Sequence, residues 1–231
     1  MGAEPVLTAE EMGVVLFTLK MAALSTVAIL PLGLLAAYGL ARYRGPGKSL
    51  IETVLSLPLV LPPTAVGIVL LELFARRGPL GSRLASLGLD VVFTAKGVVL
   101  ATAVMSFPLL VRSARTAFEG VDARLLGISR TLGKGAVATF FRVTLPLAWR
   151  GVLAGVVLAF SRALGEFGAT ILVAGNIPGR TRTLALAIFH ASQTGRDDRA
   201  LALAGVTAGL AFVALWTVEL VTRRHDRRRG A

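Results

Sequence analysis

The stretch 136–174, "AVATFFRVTLPLAWRGVLAGVVLAFSRALGEFGATILVA", decides the fold class. From residue 151 to its end, this stretch carries only two charged side chains, Arg162 and Glu166. About 20 predominantly apolar residues are enough for a helix to cross the hydrocarbon core of a bilayer. The stretch therefore predicts a membrane span over about 151–174.

Four further apolar runs of similar length make the whole chain look like a membrane protein. Of its 231 residues 55% are hydrophobic and 16% charged, where a soluble domain has roughly a quarter charged. The mean hydropathy is +0.74. The other runs lie at 14–41, 53–71, 97–111 and 200–218. We expect an all-α membrane protein of five spans, forming one domain over 1–231.

The distribution of basic residues predicts the orientation of these spans. Lys and Arg outnumber Asp and Glu by 25 to 13, a net charge of +12. One side of a five-span arrangement collects the richer basic segments, which are 42–48, 112–150 and the tail 223–231. Because cytoplasmic loops carry the excess of Lys and Arg, that side is assigned to the cytoplasm. The N-terminus is then outside, the C-terminus is cytoplasmic, and the basic balance is a topology signal in contact with membrane lipid rather than a nucleic-acid patch.

The first run is expected to stay in the mature protein. The chain begins with the acidic residues Glu4, Glu10 and Glu11 and has no basic residue before Lys20. A signal peptide begins instead with a positively charged region. The run is therefore predicted to be a retained span.

Several kinds of chemistry are not expected. The chain has no cysteine, and its two histidines, His190 and His225, are far apart, so we predict no metal site. An intramembrane enzyme needs a Ser–His pair or paired carboxylates, and Glu166 is the only carboxylate well inside a span. No G-x-x-x-x-G-K-[ST] phosphate loop occurs, so ATP binding is not expected here. The sequence predicts neither an enzyme nor a bound cofactor.

The second run contains three prolines, Pro58, Pro62 and Pro63. Each removes a backbone donor, and the freed carbonyls cannot be left facing lipid. This segment is either a kinked structural helix or a helix that lines or gates a transport path. In the fourth run, Gly151 and Gly155 form a small-xxx-small pair, which predicts close packing against another helix.

Arg162 and Glu166 stand four residues apart, a spacing that places them on one helix face. An ionised side chain in mid-span costs about 2.5–3.5 kcal/mol, so the two are expected to pair, with Lys20 and Ser161 as further candidates. The pair is either a packing device that fixes helix register or part of the transport path. A remoter alternative is an ion-coupled transporter that uses Glu166 as a proton site.

The connection 119–146 is too polar to span, yet it carries apolar residues at helical intervals: Val121, Leu125, Ile128 and Leu132. Gly133 and Gly135 interrupt it, and a short amphipathic helix is predicted before Pro146 starts the next span. Exposed apolar residues such as Phe140 and Phe141 favour a docking element on the membrane face. The alternative is an interfacial helix lying on lipid headgroups.

This connection resembles the EAA loop of ABC importer permeases. The family pattern is Glu-Ala-Ala, three residues, Gly, nine residues, Ile, one residue, Leu-Pro. Here Gly133, Val143 and Leu145–Pro146 stand at the matching positions, whereas 127–129 read Gly-Ile-Ser in place of Glu-Ala-Ala. The loop therefore keeps the spacing of the family motif but not its acidic start.

A wider resemblance covers essentially the whole chain. The segments "LPLVLPPTAVG", "FSRALGEFGAT" and "GNIPG", with the loop, are similar to the molybdate-type importer permeases. The resemblance implies a type I ABC importer fold and a homodimeric channel in the bacterial inner membrane. It also implies a cytoplasmic ATPase pair on the loop and an extracytoplasmic binding protein that delivers molybdate, tungstate or sulfate.

Roles for particular residues follow from this resemblance and from the breaks and charges described above. The loop residues expected to contact the ATPase are Gly127, Arg130, Thr131, Leu132, Gly133, Phe140, Phe141, Val143 and Pro146. The residues expected along the path or at its gate are Pro58, Pro62, Pro63, Ser161, Arg162 and Glu166. Within the loop, packing at the glycine turn or charge at Arg130, Lys134 and Arg142 could dominate the contact.

Overall fold

The computed structural model describes residues 7–227, and within that range every regular element is helical. The prediction of an all-α protein is confirmed. The helices of the first half are α1 (Ala9–Arg42), α2 (Lys48–Val60), α3 (Pro63–Phe74), α4 (Gly81–Ser86) and α5 (Ala95–Glu119). Those of the second half are α6 (Ala123–Thr131), α7 (Ala136–Thr139), α8 (Leu145–Leu164), α9 (Gly168–Ala174), α10 (Leu184–Gln193) and α11 (Asp197–Arg227).

The long helix α1 begins at a capping box. The Thr8 hydroxyl accepts a hydrogen bond from the Glu11 amide at 3.2 Å, and the Glu11 carboxylate accepts one from the Thr8 amide at 2.7 Å. These reciprocal bonds satisfy two of the backbone donors that a helix start leaves free. The predicted first span at 14–41 lies inside this helix.

The centre of the bundle is α5, which packs against α1 on one side and α8 on the other. Gly151 and Gly155 on α8 lie directly against Ala117 and Ser113 on α5, where an added Cβ would have no room. The Ser113 hydroxyl also donates to the Gly151 carbonyl at 2.8 Å. The predicted close approach at these two glycines is confirmed, and the partner helix is α5.

The second predicted span, 53–71, is not one helix. It divides into α2 and α3, whose axes differ in direction by 106°. Pro62 and Pro63 have no N–H to continue the ladder of α2, whereas a proline is well suited to the first position of a new helix. Four of the described helices are long and apolar enough to cross a membrane, or five if the bent pair counts as one span.

The fourth predicted span, 151–174, was wrong at both ends. The helical rod runs from Ala136 to Leu164, and α9 is a separate helix beyond it. The predicted short helix before Pro146 is present as α7, but it is not separate from the span, because a π-helical turn over Phe140–Thr144 joins it to α8. A proline at 146 removes one backbone donor and crowds the carbonyl four residues back. The wider turn relieves that crowding and keeps the rod continuous.

The ends of the bundle are distinct. One end, here called the loop end, holds the last residues of α1 and α5, the first residues of α2, and the helices α6 and α7. At the far end, Arg76 pairs with Asp90 at 2.7 Å and holds the pKa of that carboxyl below its ordinary value. Helix α11 contains the predicted fifth span at 200–218, and the last residues of the basic tail, 228–231, lie outside the described range.

Candidate functional site

The two charges inside the fourth predicted span form an ion pair. Nη2 of Arg162 lies 2.7 Å from Oε2 of Glu166. The other carboxylate oxygen of Glu166, Oε1, accepts a hydrogen bond from the Ala169 amide at 2.8 Å. Glu166 is only 1% exposed, so both of its oxygens are engaged inside the protein.

The pair joins two helix ends rather than lying along one helix. Arg162 is in the last turn of α8, and Glu166 follows the end of that helix and immediately precedes the cap of α9. A cation is favourable at a helix C-terminus and an anion at a helix N-terminus. The pair therefore stabilises the break between α8 and α9, in addition to neutralising its own charges.

This break contacts the other break of the chain, between α2 and α3. A Cβ added to Gly168, the first residue of α9, would lie 2.7 Å from the Cβ of Pro63, the first residue of α3. One turn further along, a Cβ on Gly67 would lie 2.9 Å from the Ala169 Cα. The helices α3 and α9 thus run in the same direction, with their N-termini side by side. The structure brings the proline break and the ion pair, predicted separately, into one cluster.

The remaining predicted path residues lie around this cluster without joining the ion pair. Pro58 is half-buried inside α2, while Pro62 and Pro63 are exposed at the break. The Ser161 hydroxyl oxygen is buried and makes no hydrogen bond within the described chain. Lys20 is exposed on α1. The expectation that Lys20 or Ser161 adds to the pair was wrong for the part of the chain described.

The predicted helix–turn–helix element of the loop is present as α6 and α7. The Asp122 side chain caps α6 by accepting from the Arg124 amide at 2.8 Å. Gly133 has a φ of +74°, a left-handed conformation that favours glycine, so it sets the turn. The buried hydroxyls of Ser129 and Thr139 lie 2.9 Å apart and fasten α6 to α7. The element is a compact unit with a defined shape.

The apolar side chains of this element divide into an inner and an outer set. Leu132 and Phe141 are 72% and 60% exposed. Ile128 and Leu125 are also exposed, whereas Val121 is buried. Leu125, Ile128 and Leu132 share one face of α6 beside the glycine turn, and Phe141 lies beyond α7 in a groove against α1. Nothing in the described chain covers the face of α6.

Phe140 is half-buried and packs on the core side of the loop. The centroid of its ring lies 4.9 Å from that of Tyr38 on α1 and 5.8 Å from that of Phe118 on α5, and both contacts are edge-to-face. It packs against the buried core at the loop end. These contacts give Phe140 a packing role, and its predicted part in a docking surface stays a prediction. The π-helical turn begins at this residue, and Phe140 faces inward while Phe141 faces outward.

A charge network at the loop end was missed from the sequence. Arg115 on α5 contacts Glu52 of α2 at 2.9 Å and Glu119 at 2.8 Å, and Lys48 lies 3.4 Å from Glu119 and 3.8 Å from Glu52. The four-residue spacing of Lys48–Glu52 and of Arg115–Glu119 could have indicated each pair. The contact between α2 and α5 could not be predicted from residue spacing, because it joins positions far apart in the sequence. The network ties the first half of α2 to the end of α5, directly before α6.

The amino-acid sequence is similar to those of known transport proteins. Residues 29–227 match the family described as binding-protein-dependent transport system inner membrane component. The chain is 46% identical over 227 residues to the molybdenum transport system permease protein ModB of Escherichia coli K12, covering 97% of this chain and 99% of that protein. It is 36% identical over 196 residues to the sulfate transport system permease protein CysT of Salmonella typhimurium, covering 85% and 71%.

A solved structure shares the fold. A bacterial ABC transporter involved in the import of the acidic polysaccharide alginate superposes with a TM-score of 0.73 at 18% identity, covering 94% of this chain and 80% of that one. At this level of identity the likeness concerns the arrangement of helices alone.

Proposed function

The chain belongs to the family of binding-protein-dependent transport system inner membrane components, and we propose that it is the channel-forming permease of an ATP-driven importer for molybdate. The observation that carries this proposal is the 46% identity to a molybdenum permease across nearly the whole of both chains. The apolar helices agree with a multi-pass inner membrane protein.

In this proposal the chain handles no ATP itself. A separate cytoplasmic ATPase pair docks on the α6–α7 element and supplies the energy. The exposed apolar side chains of Leu125, Ile128 and Leu132, on one face of α6 beside the rigid turn at Gly133, support that docking surface, because contiguous exposed apolar patches mark partner contacts. The loop end then faces the cytoplasm, with the N-terminus outside and the C-terminus inside.

The path itself is proposed to lie between two copies of the chain. The broken helix pair α2 and α3 supports this arrangement, because its exposed break at Pro62 and Pro63 has to face protein or water rather than lipid. ATP-driven movement of the α6–α7 element would shift α5 and α8, to which it is joined. The contact of Gly168 with Pro63 would pass that shift to the break.

The substrate would arrive from an extracytoplasmic binding protein. A path that bound a tetrahedral oxyanion tightly would obstruct its release, so selectivity is assigned to the delivering protein. The Arg162–Glu166 pair is proposed as a fastening of the helix break. The engagement of Glu166 with a guanidinium and an amide, at 1% exposure, weighs against its use as a proton site.

A sulfate importer is the second candidate, favoured by the 36% identity to CysT. The molybdate and sulfate candidates are distinguished by measuring the uptake of labelled molybdate into proteoliposomes that contain the permease, its ATPase and its binding protein. Molybdate is expected to be imported with ATP, and excess tungstate is expected to compete better than excess sulfate. Saturating uptake of sulfate with little molybdate uptake would assign the chain to the second candidate.

A further inference from the structure

A cleft of about 430 Å³ with a mixed polar and apolar lining lies between α2 and α5 near the loop end. Ser49, Thr53 and Ser56 line it from one face of α2, at positions one and two helical turns apart, and Arg112 lines it from α5. The Thr53 hydroxyl already donates to the Ser49 carbonyl at 2.8 Å. The donors left for a ligand are therefore the two serine hydroxyls and the guanidinium.

The net charge of this cleft comes from Arg112. Glu52 and Arg115 also line it, but both belong to the charge network, in which two cations and two carboxylates balance. Arg112 is exposed, and among the side chains that the structure describes no carboxylate pairs with it. The cleft therefore presents one uncompensated positive charge beside hydroxyl donors.

Arg112 lies at the loop end of the apolar part of α5. It is the first charged residue after the uncharged run 97–111 and lies roughly 10 Å from Glu119 along the helix at 1.5 Å per residue. A charged side chain at that depth faces the bundle interior or water rather than lipid. The cleft is the space that Arg112 lines on the α2 side.

We propose that this cleft is a weak, transient binding site for a tetrahedral oxyanion on the loop-end half of the path. Arg112 supplies the charge, and Ser49 and Ser56 supply hydrogen-bond donors. This site deepens the proposed function and rests on it. One cation and two hydroxyls attract a dianion without holding it, which suits a site from which the ion has to leave.

The charge of the cleft is measured by thiol labelling, because the chain has no cysteine of its own. Ser56→Cys is introduced into the full permease–ATPase complex in lipid nanodiscs. The permease chain is then labelled with an anionic and with a cationic methanethiosulfonate reagent. The anionic reagent is expected to react faster, and Arg112→Gln in the same background should lower the ratio of the two rates by about threefold or more. Millimolar molybdate should slow labelling only while Arg112 is present.

Matched controls separate the cleft from its surroundings. Val54→Cys, on the exposed apolar side of α2, should show no preference for the anionic reagent, and Arg44→Gln should leave the Ser56→Cys ratio unchanged. If Arg112 binds lipid phosphate instead, the ratio stays near one in phosphatidylcholine and in phosphatidylglycerol discs, and molybdate gives no protection. That result, or a ratio unchanged by Arg112→Gln, would overturn the proposal.

A transport assay completes the test. In proteoliposomes with the ATPase and binding protein, Arg112→Gln should lower the molybdate delivered per ATP hydrolysed several-fold, while Arg112→Lys keeps most of it. Should Arg112→Gln fail to assemble, the same comparison is made with Ser49→Ala combined with Ser56→Ala, which removes the donors and keeps the charge. Undiminished delivery overturns the site. Absence of ATP-dependent uptake by the unmodified protein would instead refute the proposed function, and the labelling ratio would still report the charge of the cleft.

Discussion

Gly168 lies so close to Pro63 that a single added methyl group would stand 2.7 Å from the proline Cβ. This contact joins the first turn of α9 to the first turn of α3, so the two helix breaks of the chain behave as one structural unit. Its consequences are open to direct measurement.

Gly168→Ala is expected to destabilise the protein by about 1–3 kcal/mol, because the new Cβ overlaps Pro63 and forces α3 and α9 apart. Thermal unfolding of the purified permease in detergent measures the effect. Gly165→Ala is the matched control, since a Cβ there meets nothing within 4 Å. Equal melting temperatures for the two variants would mean that the contact is not tight.

The ion pair is expected to show a coupling energy of about 1–3 kcal/mol in a double-mutant cycle of Arg162→Gln and Glu166→Gln. Each single variant leaves one charge without its partner in a largely buried place, while the double variant leaves none. The free energy of unfolding in denaturant is measured for the unmodified protein, the two single variants and the double variant, and transport is measured in parallel. Additive losses of stability would contradict a direct pairing. Transport lost at full stability would point to a gate.

The outward side chains of the α6–α7 element are expected to bind the ATPase. Leu132→Ala and Phe141→Ala should reduce the amount of ATPase that copurifies with the permease and leave the melting temperature unchanged, because both side chains are exposed. Phe140→Ala is the contrasting variant. It should destabilise the isolated permease by about 3 kcal/mol, because it removes ring contacts with Tyr38 and Phe118. ATPase recovery unaffected by both outer variants would remove this surface from the account.

The charge network is expected to hold the first half of α2 against α5. Arg115→Ala leaves Glu52 and Glu119 without their shortest contact and should cost about 1.5 kcal/mol, the low end for hydrogen bonds to charged groups at partly exposed positions. Hydrogen exchange should then speed up in α2. Lys48→Ala removes only the longer contacts and serves as the control. Equal exchange rates in the two variants would exclude a special role for Arg115.

The spans without interruptions could be predicted from hydropathy, because a helix such as α1 or α5 follows directly from an uncharged run of sufficient length. The break at Pro62 and Pro63 was foreseen as a distortion, but its size depends on what α3 packs against. The end of α8 at Leu164 was missed, because Gly165 and Glu166 gave only a weak local signal inside an apolar run. The tertiary contact of Gly168 with Pro63, which holds the start of α9 against α3, could not be predicted from the sequence.

The candidate site, too, could be predicted from the sequence only in part. The spacing of Arg162 and Glu166 predicted their pairing, and Gly133 predicted the turn of the loop. The inward position of Phe140 could not be predicted, because the π-helical turn changes which side chains face the core. The charge network depends on the approach of α2 to α5, which no periodicity within either helix encodes.

The central claim is that this chain forms an oxyanion path driven by a separate ATPase. The measurement that tests it most directly is uptake of labelled molybdate into proteoliposomes that contain the permease, with and without its ATPase, its binding protein and ATP. Uptake is predicted only when all are present, and Leu132→Ala should lower it by weakening ATPase contact. Molybdate uptake that proceeds without ATP or without the ATPase would contradict the account.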